Sequence, residues 1–376
     1  MLRLGYYKLT REKKVADDWV WIVDHTVQVG PEKCLLILGV RLSHLPAVGS
    51  SLAHEDVEVI DLLPVKGSDG ETVYQQLEEA TTKTGVPREI VSDHAPDLSK
   101  GLGKFSLKHP ETAVVYDIKH KTAAVLKREL EGELKWEEFI KQANRTKVSL
   151  QQTALAHLTP PPQRSKGRYM SAGEIIEWGQ KVLEYLASPS AVEAESERQQ
   201  LEEKLGWIRE YREELGEWSQ MMELVVRAEK FVREKGLYQE SHHWLEKELK
   251  VRVATDRTQR MKEELVRFVQ AESQQAKPGE RLVGSSEVIE SVLGKFKRME
   301  DAQAKSGVTG MLLALGAMVS ETSVEVVKKA MESVKTRKVL EWCAEKLGKT
   351  VQAKRRAFFK KGSKAEQKLD QLKVPA

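Results

Sequence analysis

Cysteine is nearly absent. The chain has two, Cys34 inside an apolar run and Cys343 in a helical pattern, so neither a disulfide framework nor a thiolate zinc site has the residues it needs. That scarcity suits a cytoplasmic, reducing setting. Long apolar runs are missing too: no stretch of eighteen apolar residues occurs, and the longest, GMLLALGAMVS at 310–320, is too short to span a bilayer. The first residues, MLRLGYYKLTREKK, hold no secretory apolar core. Nor does one sign of charge dominate. With 61 Lys and Arg against 57 Asp and Glu, bulk charge selects no partner.

What is present is a globular composition, 40% hydrophobic over 376 residues, enough for one large or two ordinary domains with real cores. The charge is unevenly spread. From Thr322 onward 15 Lys and Arg stand against 6 Asp and Glu. Within that basic region KTVQAKRRAFFKKGSK places Lys354, Arg355 and Arg356 beside Phe358 and Phe359, a combination suited to phosphate contacts with aromatic stacking. A solvated cationic helix end is the plain alternative.

Along the chain, short apolar runs alternate with turn signals from Trp19 to about Leu130. VWIVDHTVQVG reads as a first strand whose apolar run ends at Asp24, KCLLILGVRL as a second reached through a Gly30-Pro31 turn, and VEVIDLLPV as a third. A helix begins at Ser68 or Asp69 and stops at Gly85. REIVSDHAPD and TAVVYD supply a fourth and a fifth strand. Three strands in a meander, then helix, strand, helix, strand, makes the fourth parallel to the first if its crossover has the usual hand. Asp24 and Asp93, each closing an apolar strand, would then lie side by side.

Beyond the Pro-rich, basic LTPPPQRSKGRYM the pattern turns helical to about residue 275, with Leu201, Ile208, Leu215 and Met222 on one heptad seam and Tyr211, Trp218, Val225 and Val232 on another. This predicts a helical hairpin or bundle. QAKPGERLVGSS then leads into SSEVIESVLGKFKRM, a helix with Ile289, Val292, Leu293 and Phe296 as its core stripe. Two carboxylates on neighbouring strand ends suit Mg2+, with Mn2+ as a substitute, because hard ions take oxygen ligands and keep positions open for water and phosphate. Glu290 is the preferred third ligand and Glu287 its competitor. Gly294 and Lys297 follow Glu290 on the same helix face, where they would admit and neutralise a phosphate backbone.

On the motifs VDHT (Asp24), SDHAPDL (Asp93) and VIESVLGKFK (Glu290), residues 17–300 resemble the DDE transposases of bacterial insertion sequences, in which an all-α insertion interrupts an RNase H-like core. The resemblance implies an α/β fold: an RNase H-like mixed sheet, first part 17–132, an all-α insertion 133–280, a last core part 281–320 with the catalytic helix, and a basic helical tail 321–376. Residues 1–16 would be the remnant of an N-terminal region. It implies two Mg2+ ions, about 3.5–4 Å apart, held by Asp24, Asp93 and Glu290 and driving DNA cleavage and strand transfer. The expected partners are transposon ends and target DNA, in a homodimer or larger synaptic complex, with no membrane and a nucleoid-associated location. DIKH supplies Asp117 and His120 at the family's D-x-x-H spacing, with Asp117 and Gly294 as supporting residues and His120 as a DNA contact. Lys297 stands at the family's position seven residues after the Glu. The Tyr and Arg that precede the Glu in one subgroup are replaced by Val283 and Ser286.

Single residues have plainer readings. An aspartate at a strand end is commonly a cap, Asp97 reads as the start of a helix after Pro96, and His120 as a buried, bonded imidazole. Trp244 in HHWLEKEL reads first as a core aromatic and second as a stacking residue. A nuclease on the same fold, or an inactive DNA-binding derivative, are the alternative functions.

Overall fold

A computed structural model describes residues 1–29, 32–163, 169, 172–187, 195–250, 254–302, 309–348 and 355–359. The Gly30-Pro31 turn, most of the basic half of the 158–170 linker, and Lys354 lie outside them. The chain divides into two compact units, one of Met1–Val115 with the described residues from Ser286 onward, the other Tyr116–Ser285.

The first unit is built on a five-stranded mixed sheet. Its strands are β1 (Trp19–Val29), β2 (Glu32–Arg41), β3 (Glu58–Val65), β4 (Glu89–Ser92) and β5 (Ala113–Tyr116), in the spatial order β3-β2-β1-β4-β5. β1 pairs antiparallel with β2, β2 antiparallel with β3, and β1 parallel with β4. The three-strand meander and the parallel fourth strand follow the sequence pattern. β1 is longer than its apolar run, because the antiparallel ladder with β2 carries it past Asp24 through Thr26, with a register shift before Val29. Main-chain pairing tolerates the polar residues there.

Burial on both faces explains why β1 and β2 read as nearly continuous apolar runs. Trp21, Val23, Leu35, Ile37 and Ile90 share one core cluster with Val73 and Leu77 of α2 (Gly70–Thr84) and Leu98, Leu102 and Phe105 of α3 (Pro96–Lys108). Asp69 caps α2, accepting from the Thr72 amide at 2.8 Å, and Gly85 ends it at φ +82°. The alternate residues Val20, Ile22, Leu36 and Leu38 are buried outside that cluster. α1 (Leu2–Thr10) and α12 (Leu313–Ala317) pack against β3, and α11 (Glu287–Asp301) against β1. The GMLLALGAMVS run forms α12 and its flanks, with Leu312 to Leu315 fully buried. No helix among the described residues is long and apolar enough to cross a membrane. α13 (Val324–Ser333) and α14 (Thr336–Trp342) follow.

The second unit is helical: α4 (Ile118–Leu130), α5 (Leu134–Leu150), α6 (Ala172–Ala187), α7 (Glu195–Leu205), α8 (Arg212–Lys235), α9 (Ser241–Leu249) and α10 (Asp256–Ser273). The heptad seams are buried except for the half-buried Met222, but they do not run along one helix. A 3-10 segment, Gly206–Tyr211, separates α7 from α8, at the glycine where α-helix is least favoured. It brings Tyr211 into an aromatic cluster with Trp136, Phe139 and Trp218, in which the two indoles meet edge to face at 5.0 Å. Arg257 ties this unit together, its guanidinium 2.7 Å from Glu133, 3.1 Å from Glu217 and 3.4 Å from Glu129.

Candidate active site

Strand register decides which residues share a face. The β1–β4 pairs run Val20 with Glu89, Trp21 with Ile90, Ile22 with Val91 and Val23 with Ser92. The pairing ends there, one residue before Asp24 and Asp93, at the carboxyl end of β4, where open α/β sheets place their sites. Side chains alternate along a strand. Asp24 therefore falls on the face of Val20 and Ile22, away from the α2 and α3 cluster, and Asp93 follows directly on Ser92, the last residue of β4. Both aspartates are half-buried. Asp93 also braces its own loop, accepting from the Ala95 amide at 3.2 Å.

Glu290 stands in the first turn of α11, the helix that packs against β1. The helix buries Val288, Ile289, Val292, Leu293 and Phe296, which holds Glu290 at the margin of the apolar stripe, half-buried. Glu287 is also half-buried. One turn on, a Cβ at Gly294 would meet nothing within 4 Å, so the space at that position is open, and Lys297 is exposed two turns on. Among the described residues, Asp24, Asp93 and Glu290 do not make a group whose ligand oxygens all lie within 4.8 Å of one another.

A second polar constellation on the other face of β1 escaped the sequence reading. His25 Nε2 lies 3.2 Å from Ser68 Oγ, its Nδ1 lies 3.7 Å from Asp97 Oδ2, and Lys33 Nζ donates to that same oxygen at 2.8 Å. Burial holds the His25 pKa below the ordinary imidazole value, with Asp97 pulling the other way. Burial also pushes the Asp97 carboxyl up, but Lys33, His25 and the Ser68 hydroxyl outweigh it and keep its pKa below the usual carboxylate value. Asp97 does lie in the first turn of α3, as Pro96 suggested. The available signal was that Ser68 and Asp97 lie at the starts of α2 and α3, and that His25 follows the apolar run of the strand both helices pack against.

In the helical unit, Asp117 caps α4: its buried carboxylate accepts the His120 amide and His120 Nδ1, both at 2.9 Å. The D-x-x-H spacing here serves a helix N-terminus. Trp244 is not a core residue. It is 53% exposed on α9, with Lys247 Nζ 4.4 Å from its ring centroid, because the positions facing inward on that short helix are Ser241, Leu245 and Leu249. Arg355 and Arg356 are exposed in a helical stretch at 355–359, with Arg355 over the Phe359 ring at 5.8 Å.

No protein-family model matches the chain, and no curated protein is significantly similar to it. Among solved structures, the Drosophila P element transposase strand transfer complex is similar at a TM-score of 0.37 and 10% identity, over 86% of this chain and 81% of that one. That likeness is too slight to carry an argument about fold or function.

Proposed function

We propose that the protein is a metal-dependent DNA transposase with an RNase H-like core. The observation that carries the reading is the parallel β1–β4 pairing, whose last pair, Val23 with Ser92, immediately precedes Asp24 and Asp93, with the helix bearing Glu290 packed against β1. The donor set fits Mg2+, or Mn2+ in its place, since it consists of hard carboxylate oxygens, with open space at Gly294 one turn on from Glu290. Asp24, Asp93 and Glu290 would hold the metal, which supplies activation of the attacking oxygen and stabilisation of the leaving oxygen in phosphoryl transfer. Lys297 would offset backbone phosphate charge on the same helix face. His120, Arg355 and Arg356 are further DNA contacts in this reading, and the exposed Trp244 with Lys247 offers an aromatic and cationic surface for a nucleobase. Transposon ends and target DNA are the substrates, in a dimer or larger synaptic assembly.

The test is Mg2+-dependent nicking and joining of DNA that carries the element's own ends. Asp93→Asn keeps the side-chain size and removes its charge, and should lower the rate by on the order of a thousandfold, the scale seen when a key electrostatic group is lost. Equal activity in that variant would sink the assignment. Nicking without joining would favour a nuclease on the same fold.

A further inference from the structure

The strand end that carries Asp24 is supported unequally. Its pairing with β4 stops at Val23 and Ser92. From Asp24 onward the strand paired with it, among the described residues, is β2, through a ladder that loses register between Thr26 and Val29. His25 adds side-chain contacts here, with Ser68 on one ring nitrogen and Asp97 facing the other.

Asp97 is joined to Asp93 by a short, stiff path. The Asp93 carboxylate closes a turn onto Ala95, Pro96 has its φ fixed by its ring, and Asp97 follows in the first turn of α3. Lys33, at the start of β2, donates to the Asp97 carboxylate at 2.8 Å. Asp97 thus touches both sides of the gap: His25 and Lys33 belong to the hairpin that carries Asp24, and Asp97 belongs to the segment that carries Asp93.

We infer that Asp97 is a positioning residue, and that its contacts with His25 and Lys33 set the spacing of Asp24 and Asp93. The inference rests on the metal-site reading above for its functional meaning, but its structural content stands apart from it. A half-buried ion pair contributes little net stability against an apolar replacement, so its effect belongs to geometry. Groups that orient metal ligands typically change affinity by about 10- to 100-fold when removed.

Two measurements on the full chain test this, with Asp97→Ala and Lys33→Met as loosening variants and Lys33→Arg as the conservative one. Hydrogen exchange without metal should show the amides of Asp24, His25 and Thr26 opening about tenfold faster in both loosening variants, with the centre of β1 unchanged and Lys33→Arg close to the parent. Calorimetric titration with Mn2+ alone should show affinity about 10- to 100-fold weaker in Asp97→Ala, weaker also in Lys33→Met, and close to the parent in Lys33→Arg. Unchanged exchange at the strand end overturns the inference. So does unchanged Mn2+ affinity in Asp97→Ala when Asp24→Ala abolishes binding. If the parent protein takes up no Mn2+ while exchange responds as expected, the brace stands and the metal-site reading falls.

Discussion

Glu272 shows how one residue's surroundings fix a pH response. Burial raises its carboxyl to about 7 from 4.5, against the pull of the Tyr116 amide at 3.4 Å, Gln275 Nε2 at 3.0 Å and the Lys121 charge. The folded chain therefore holds this proton between pH 4.5 and 7 while the unfolded chain has released it. Stability from the group is full below 4.5 and falls as pH rises through 7. Glu272→Gln keeps the shape of the protonated form and removes the titration. Thermal melts across pH 5 to 8 should show a flatter profile for the variant than for the parent, with the variant melting higher at pH 8. A profile with the parent's slope would mean that Glu272 titrates normally.

At the scale of elements, the crossing of α1 with α12 is the tightest contact in the sheet unit. A Cβ at Gly5 would fall 1.7 Å from the Leu313 carbonyl oxygen, and one at Gly316 would fall 3.0 Å from the Gly5 oxygen. The two backbones touch, so no rotamer change can relieve an added methyl. Gly5→Ala should cost about 3 kcal/mol, the upper end for overpacking, read as a lower denaturation midpoint with an unchanged slope. The elements themselves were largely legible, since β2, β3, α2 and β5 follow apolar runs, caps and turn residues in the sequence. Three features were hidden, each for a physical reason. The extension of β1 past Asp24 comes from main-chain pairing, which carries no apolar signature. The exposure of Trp244 depends on which side of a nine-residue helix faces inward, and a short amphipathic pattern fixes that poorly. The contacts of His25 with Ser68 and Asp97 join residues 43 and 72 positions away, a proximity that local spacing cannot reveal. The parallel pairing of β1 with β4 was legible because strand order and crossover handedness together determine it.

On the scale of the whole chain, charge is concentrated where it can act on a polyanion. From Lys349 to the end, 9 Lys and Arg stand against 2 Asp and Glu. If the protein handles DNA as proposed, a chain shortened to residues 1–348 should bind it with a weaker salt dependence, the slope falling by about 0.9 for each phosphate no longer neutralised. Filter binding at graded salt reads this, and an unchanged slope would exclude the basic tail from DNA binding. The division into units has a consequence for how the molecule is made. The sheet unit takes its first part from Met1–Val115 and its second from Ser286 onward, with the helical unit wholly between them. A ribosome adds about 5–20 residues per second, so α1 emerges roughly 15 to 60 s before the α12 segment against which it packs. The helical unit, contiguous in sequence, can close first. During that interval Leu4 and Leu9 of α1, buried in the finished protein, have β3 to pack against but lack the α12 surface that completes their cover.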